Sequence, residues 1–473
     1  MYQKKNIIAH KIDNRKLAME RSQDRGIISR KRLFFIISLI VGILLLLSFH
    51  DISSEFEYRI VYSRMKQDPN SLAMELQLST LIKDEDKFQL KRTGLSCNSE
   101  LEIEICIIIK QVRINTQSLN IYLSPSHETT QEIKEIKIIK PYAIENISRA
   151  MNKVQQIQII QGKNSKNMPN CEHSHMVPMI IFSTGGFSEN AFHDFNDIII
   201  PLYLTSRHFR SQVRFLITDY RLTWVIKYGH ILKQLSSYEF IKADKSNGSI
   251  HCFPGGVIGL KYHGFLGINS SMIPKGYKFD DFRQFLFETY DLKVNKLMVK
   301  SSRRPVVVLI SRKGSRMLLN EDEIVNMMVG LGFQVRIPTP DDMNNLEKLS
   351  SLVNQCRVMV GVHGAGLVNE VFLPKGAVVV QFIPVGLMWQ SISYYAEPTP
   401  KMGLKYLEYR VGFDESSLYE SYSRNDLVII NPPSVYAKGF SVAKAIYLEE
   451  QNLRINVTKF KATMSHALEL LEH

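Results

Sequence analysis

Two nucleotide-binding signatures are missing from this chain. There is no G-x-G-x-x-G, which excludes a standard dinucleotide oxidoreductase, and no G-x-x-x-x-G-K-[ST], which excludes a P-loop nucleotidase. Internal repeats and low-complexity tracts are also absent. The five cysteines (Cys97, Cys106, Cys171, Cys252 and Cys356) form no C-x-x-C pair and no Cys/His spacing suited to a metal. Asp84-Glu85-Asp86 has the form of a metal-binding triplet, but within the mixed charge run 83–87 it reads as a solvated cluster.

What is present begins with charge. The net charge is +13, and the first 32 residues supply +7 of it. The surplus is therefore concentrated in a basic tail, so nucleic acid is not the expected partner. Residues 33–49, LFFIISLIVGILLLLSF, follow without a single charge. A membrane span needs about 20 apolar residues, with roughly 17 as the lower limit, and a signal-peptide core is shorter. Ser48-Phe49-His50-Asp51, at its end, makes a poor cleavage site, so the segment reads as an uncleaved anchor. Basic residues on its N-terminal side keep that side cytosolic. The expectation is a single-pass type II protein of the Golgi membrane with a lumenal body.

A lumenal body gives meaning to four sequons, at Asn146, Asn247, Asn269 and Asn456. It also permits disulfides. Cys97 and Cys106 are close enough for a local bridge and Cys171–Cys252 is a second candidate pair, but spacing does not fix the connectivity.

The expected organisation is a tail at 1–32, an anchor at 33–49 and a polar stem at 50–95. An N-terminal lobe at 96–295, a C-terminal lobe at 296–433 and a helical segment at 434–473 follow. Apolar runs at 101–109, 119–123, 133–139, 178–183 and 214–219 read as strands. Helical patterns cover 190–209, 228–236 and 279–290. The second half alternates more cleanly. Strands at 306–311, 333–337, 358–362 and 377–384 are separated by helices, the first opening at Asn320 with Glu323 at the capping-box position. Such alternation implies α/β folding with parallel, doubly wound sheets, here as two Rossmann-like lobes facing a cleft.

Three constellations stand out. In the first, the run Val358–Val362 feeds His363-Gly364-Ala365-Gly366 and then a helical pattern. Strand, tight glycine turn and helix N-terminus make an anion site suited to a diphosphate. In the second, Arg312, Lys313 and Arg316 leave another strand end, and arginine offers a fork for phosphate oxygens. In the third, His193-Asp194 opens a helix in the first half just after Gly185-Gly186, where either side chain could deprotonate an acceptor hydroxyl. Trp224, Tyr220, Tyr394, Tyr395 and Tyr406 are candidate platforms for a sugar or base.

Taken in order, these residues resemble plant glycosyltransferase family 61. The resemblance rests on Phe182-Ser183-Thr184-Gly185-Gly186-Phe187, the His193-Asp194-Phe195 run through Thr205-Ser206-Arg207, and Ile310-Ser311-Arg312-Lys313. It continues through Asn320-Glu321-Asp322-Glu323, Val360 through Leu367, and Phe372-Leu373-Pro374. It runs from about residue 96 to the C-terminus. The chain departs from the pattern at Glu189 and at Val368-Asn369-Glu370. The resemblance implies a GT-B fold and an inverting transfer that needs no bound metal or other cofactor. It implies a UDP-pentose donor held by Arg312 and the 363–366 turn, with xylan or another glycan as acceptor. Complexes with other Golgi enzymes are a further expectation. The same signature admits an N-glycan β-1,2-xylosyltransferase, or an inactive lumenal carbohydrate-binding protein.

Overall fold

Strand residues of this chain alternate between two cores, and that alternation sets the layers. In a computed structural model the described residues are 69–100, 103–124, 136–144, 147–161, 168–272, 276–292 and 304–472. The chain divides into two units, Met1–Leu72 and Ala73–His473. The expected tail and anchor lie outside the described residues. No helix among the described residues is long and apolar enough to cross a membrane.

The first half carries two six-stranded sheets. One runs Leu95–Glu100, Ile103–Ile108, Gly256–Ile258, Met179–Ser183, Arg214–Thr218, Ile241–Lys242. Its last four strands are parallel, and its first two are antiparallel. The other sheet runs from Ile136–Ile139 to His173–Ser174 through Ile157–Gln161, Asn120–Leu123, Val112–Asn115 and Ile250–Phe253. Cys106, Ile108, Met179 and Ile181 point toward this second sheet and pack with Ile114 and Ile121. Their neighbours Ile105, Ile107, Ile180 and Phe182 point the other way, into the main core with the helices. The expectation of parallel sheets in both halves is therefore corrected. The first half has mixed sheets, because one face of its central sheet is covered by another sheet rather than by crossover helices.

The second half follows the expectation. Its five strands are all parallel, in the order Gln334–Arg336, Val306–Ile310, Val358–Val362, Val378–Ile383, Lys405–Arg410. One face, with Val307, Leu309 and Val360, packs on Ile324, Met328, Phe460 and Met464. The other face, with Val308, Met359 and Val379, joins the main core shared with the first half.

Three local expectations change. Residues 69–95, expected within an irregular stem, form the helices Pro69–Ser79 and Asp84–Thr93, whose Leu78 and Leu90 are fully buried in the main core. Asn320 does not cap Glu321–Gly330. Its amide instead donates to Ile455 O at 2.9 Å and accepts from Ile455 N at 2.9 Å, pinning the C-terminal segment. The C-terminal helical region is broken into Pro432–Tyr436, Phe440–Ala443 with its π-helical continuation Lys444–Glu450, and Val457–Glu472.

Both candidate bridges are formed, Cys97–Cys106 and Cys171–Cys252, and Cys356 is free and buried. If residues 69–95 belong to the core, Leu78→Ala in the full chain should cost about 2–5 kcal/mol of stability. Thermal or urea unfolding measures this, and a melting curve like that of the unaltered chain would return the segment to a stem.

Candidate active site

The order of the parallel sheet places its ligand crevice. Numbered along the chain, the five strands lie 2-1-3-4-5, so the direction of winding reverses between Val306–Ile310 and Val358–Val362. Ligands of such sheets bind outside the carboxyl ends of the strands at this reversal. The two segments that leave these strand ends are the Arg312 loop and the His363-Gly364-Ala365-Gly366 turn.

Those segments meet. A Cβ on Gly364 would stand 2.2 Å from Arg312 Nη1 and 3.4 Å from Arg316 Nη1, so glycine is needed for both guanidiniums to approach the backbone. Arg316 Nη1 donates to His363 O at 2.7 Å, and Arg312 Nε to Ser315 O at 3.1 Å. Tyr395 Oη donates to Gly364 O at 2.7 Å. The turn then enters the 3-10 helix Ala365–Phe372, whose first N–H groups, on Ala365 and Gly366, have no acceptor within the helix. Arg316 adopts a left-handed backbone, φ 50°, and its N–H is held by Gln451 O at 2.7 Å. Gln451 is itself buried and tied to Val385 and Ser416.

Neither Arg312 nor Arg316 has a carboxylate partner among the described residues. Burial, and then the neighbouring Arg312, pushes the Arg316 guanidinium down to about 10, and burial lowers Arg312. Two partly desolvated cations side by side repel each other, and a multivalent anion relieves both. Lys313 is exposed on the same loop.

His363 is 5% exposed. Burial, then Arg316 and Arg312, pushes its imidazole down to about 3, so it is neutral. Tyr406 Oη donates to Gln381 Oε1 at 2.6 Å, which turns the amide nitrogen of Gln381 toward His363 Nδ1 at 2.9 Å. Nδ1 therefore accepts, and Nε2 carries the proton as a donor.

In the first half the adjacent pair His193-Asp194 is split by helix geometry. Asn190 caps the turn Ala191–His193, accepting from Phe192 N at 3.1 Å. A π-helical turn, Asp194–Ile199, follows directly upstream of Pro201. Proline cannot donate within the ladder and crowds the preceding turn, so a local widening there has a physical cause. Asp194 is 1% exposed and accepts from Glu189 N at 3.0 Å, Trp224 Nε1 at 2.9 Å and Tyr228 Oη at 3.0 Å. Burial raises its carboxyl to about 6 in spite of these donors.

His193 faces a different carboxylate. Its Nδ1 lies 2.9 Å from Asp197 Oδ2. Asp197 is fully buried and also accepts from Tyr142 Oη at 2.7 Å and Asn196 Nδ2 at 2.6 Å. The carboxylate fixes the proton on Nδ1, leaving Nε2 as an acceptor with no partner among the described residues. The His193 side chain is 22% exposed, enough to meet a substrate. Gly186 makes room for this arrangement, since a Cβ there would sit 2.3 Å from Tyr142 Cζ.

The two groups are joined through packed rings. The Ala191–His193 turn packs on the Ala365–Phe372 helix. Phe192 stacks on Tyr394 at 4.6 Å, and Tyr394 faces His363 at 6.2 Å with the rings inclined by 29°. The His193 turn and the Arg312 and Gly364 cluster thus flank one aromatic hub.

Sequence reasoning missed Asp197, Arg316's hold on the turn carbonyl, and Gln381. The four-residue spacing of His193 and Asp197 on a helix was the available signal for the first. Of the aromatic candidates, Trp224 and Tyr395 are buried, Tyr406 serves Gln381, and Tyr220 stacks on Phe240. The departure at Glu370 is fully buried rather than solvent-facing. It accepts from Thr399 Oγ1 at 2.8 Å, and burial raises its carboxyl to about 8. Glu189 pairs with Arg221 at 2.6 Å on the surface. Asn247, Asn269 and Asn456 are exposed, while Asn146 lies outside the described residues.

Comparison with known proteins agrees with this geometry. The Glycosyltransferase 61 family model matches residues 228–380, a span that includes Arg312 and the glycine turn. A xylan glycosyltransferase of Arabidopsis thaliana is 35% identical over 400 residues, 80% of each chain. An alpha-1,3-arabinosyltransferase of Oryza sativa subsp. japonica is 34% identical over 79% of this chain and 64% of its own length. A beta-1,2-xylosyltransferase of the same rice is 35% identical over 70% of this chain and 72% of its own. Strand order, glycine turn and similarity over 80% of each chain agree, and this chain belongs to glycosyltransferase family 61.

Proposed function

We propose that this glycosyltransferase moves a pentose, xylose or arabinofuranose, from a UDP-sugar onto xylan with inversion and without a bound metal. The observation that carries the reading is the pair Arg312 and Arg316, met at the winding reversal by a glycine turn and, among the described residues, by no carboxylate. Relatives named for xylan, arabinosyl and xylosyl transfer support the donor and acceptor classes.

In the transfer, the acceptor oxygen attacks the anomeric carbon as the bond from that carbon to the UDP oxygen breaks. His193 Nε2 takes the acceptor proton, and Asp197 stabilises the imidazolium that forms. Arg312, Arg316 and the N–H groups of Ala365 and Gly366 meet the negative charge that appears on the departing diphosphate. Asp194 holds the first-half framework together and does not act as the base. In this reading the two halves are the lobes of a GT-B enzyme, with the acceptor on the His193 side and the donor on the Arg312 side. The basic tail and apolar segment anchor it in the Golgi membrane with the body lumenal, where the disulfides and sequons are at home.

A panel of UDP-sugars offered with a xylo-oligosaccharide, read by mass spectrometry, should give a mass increase of one pentose that EDTA does not abolish. No product with any UDP-pentose, or loss of product on chelation, would overturn the reading. Asp197→Asn should lower kcat by about a hundredfold or more with little change in acceptor KM. Asp194→Asn should act mainly on the melting temperature. Normal kcat in Asp197→Asn would remove the proposed base.

A further inference from the structure

One of the two tryptophans in the chain is buried against Asp194, and the other is in solvent. Trp389 is 61% exposed on the short helix Met388–Ser391, which follows the carboxyl end of the Val378–Ile383 strand. An exposed tryptophan held in place is unusual, because so large an apolar surface gains by being covered. Trp389 is held. Its ring stands nearly perpendicular to Phe265 at 6.5 Å and to Tyr394 at 5.9 Å, and those two rings touch each other at 4.7 Å.

The ring is continuous with the site. Tyr394 stacks on Phe192, the residue before His193, and faces His363. A path of packed rings therefore runs from the proposed base outward to an exposed indole. The segment that carries the indole is uncharged. Residues 378–396 contain no Lys, Arg, Asp, Glu or His. A phosphate would find no cation on this stretch. A neutral sugar ring, with one face of C–H groups and a rim of hydroxyls, suits an exposed aromatic face on an uncharged segment.

We propose that Trp389, supported by Phe265 and Tyr394, is the stacking platform of an acceptor subsite that holds the glycan chain at a distance from the reacting hydroxyl. This rests on the transfer reading above and adds a specificity determinant to it. The platform favours long acceptors, since a short one that reaches His193 ends before it reaches the indole. The alternative tenant of an exposed indole, the uracil of the donor, is an outcome of the test.

The test uses the full chain and its Trp389→Ala and Trp389→Phe variants, with xylobiose and xylohexaose as acceptors. Trp389→Ala should raise KM for xylohexaose about tenfold, the loss of one aromatic contact. It should leave KM for xylobiose, KM for the donor and kcat unchanged. Trp389→Phe should restore most of the lost affinity. An unchanged KM for xylohexaose, or a rise confined to the donor, overturns the proposal. A second readout needs no turnover. Trp224 is buried, so acrylamide quenching of the unaltered chain reports Trp389. Xylohexaose should shield it, and UDP should not. Shielding by UDP alone, or pentose transfer to xylohexaose without shielding, overturns the subsite. Shielding by xylohexaose without pentose transfer overturns the transfer reading and leaves the subsite standing.

Discussion

The structure turns on two arginines that no carboxylate of the described residues neutralises. Arg312 and Arg316 converge on the backbone of Gly364, are partly taken out of water, and meet no carboxylate among the described residues. Desolvating a guanidinium without a partner is costly, and doing so twice in one place is costlier. Much of the surrounding structure holds this arrangement. Gly364 gives the forks their approach, Tyr395 and Arg316 tie down the turn carbonyls, and Gln451 fixes the left-handed backbone at Arg316. The neutral His363 beneath, oriented by Gln381 and Tyr406, adds a donor without adding charge. In the proposed transfer, a diphosphate would relieve this cost, and more so as charge grows on it during bond breaking.

The first half supplies the opposite chemistry. Asp197 is buried and meets three partners, Tyr142, Asn196 and the imidazole of His193. Asp194, one residue after His193, is as buried and as well bonded, yet its donors are Trp224, Tyr228 and a backbone N–H. The two carboxylates thus divide the work. One ties a helix to the core, and the other orients His193, the proposed base, which reaches the surface. Because the main core is shared by both halves, the proposed base and the arginines are held by one body of packed side chains, with Phe192 and Tyr394 at its edge.

How much of this was legible follows from where the signals lie. Strands buried on both faces read as continuous apolar runs, so VVVLI, VMVGV and VVVQFI announced the parallel sheet and its two loops. The strand Leu95–Glu100 is polar, LSCNSE, and is a strand because it pairs with Ile103–Ile108 across a disulfide. No local pattern marks it, and the same is true of the helices at 69–93. Long-range pairing also decides that the first half is mixed rather than parallel. At the site, residue types were legible and partners were not. The sequence FHDFND places two aspartates near His193, and only the helical turn says that the one four residues on faces the ring. Asn320 looked like a cap because its neighbours fit the pattern, and it instead bonds a backbone 135 residues away.

The central claim is that Arg312 and Arg316 at the Gly364 turn bind the diphosphate. Calorimetric titration of UDP into the full chain, with EDTA present, tests it most directly. Wild type should bind. Arg312→Ala should bind about ten- to a hundredfold more weakly, the loss of a charge-assisted contact, with an unchanged melting temperature. Equal UDP affinity in the two proteins, or binding that vanishes from the wild type when EDTA is added, would contradict it.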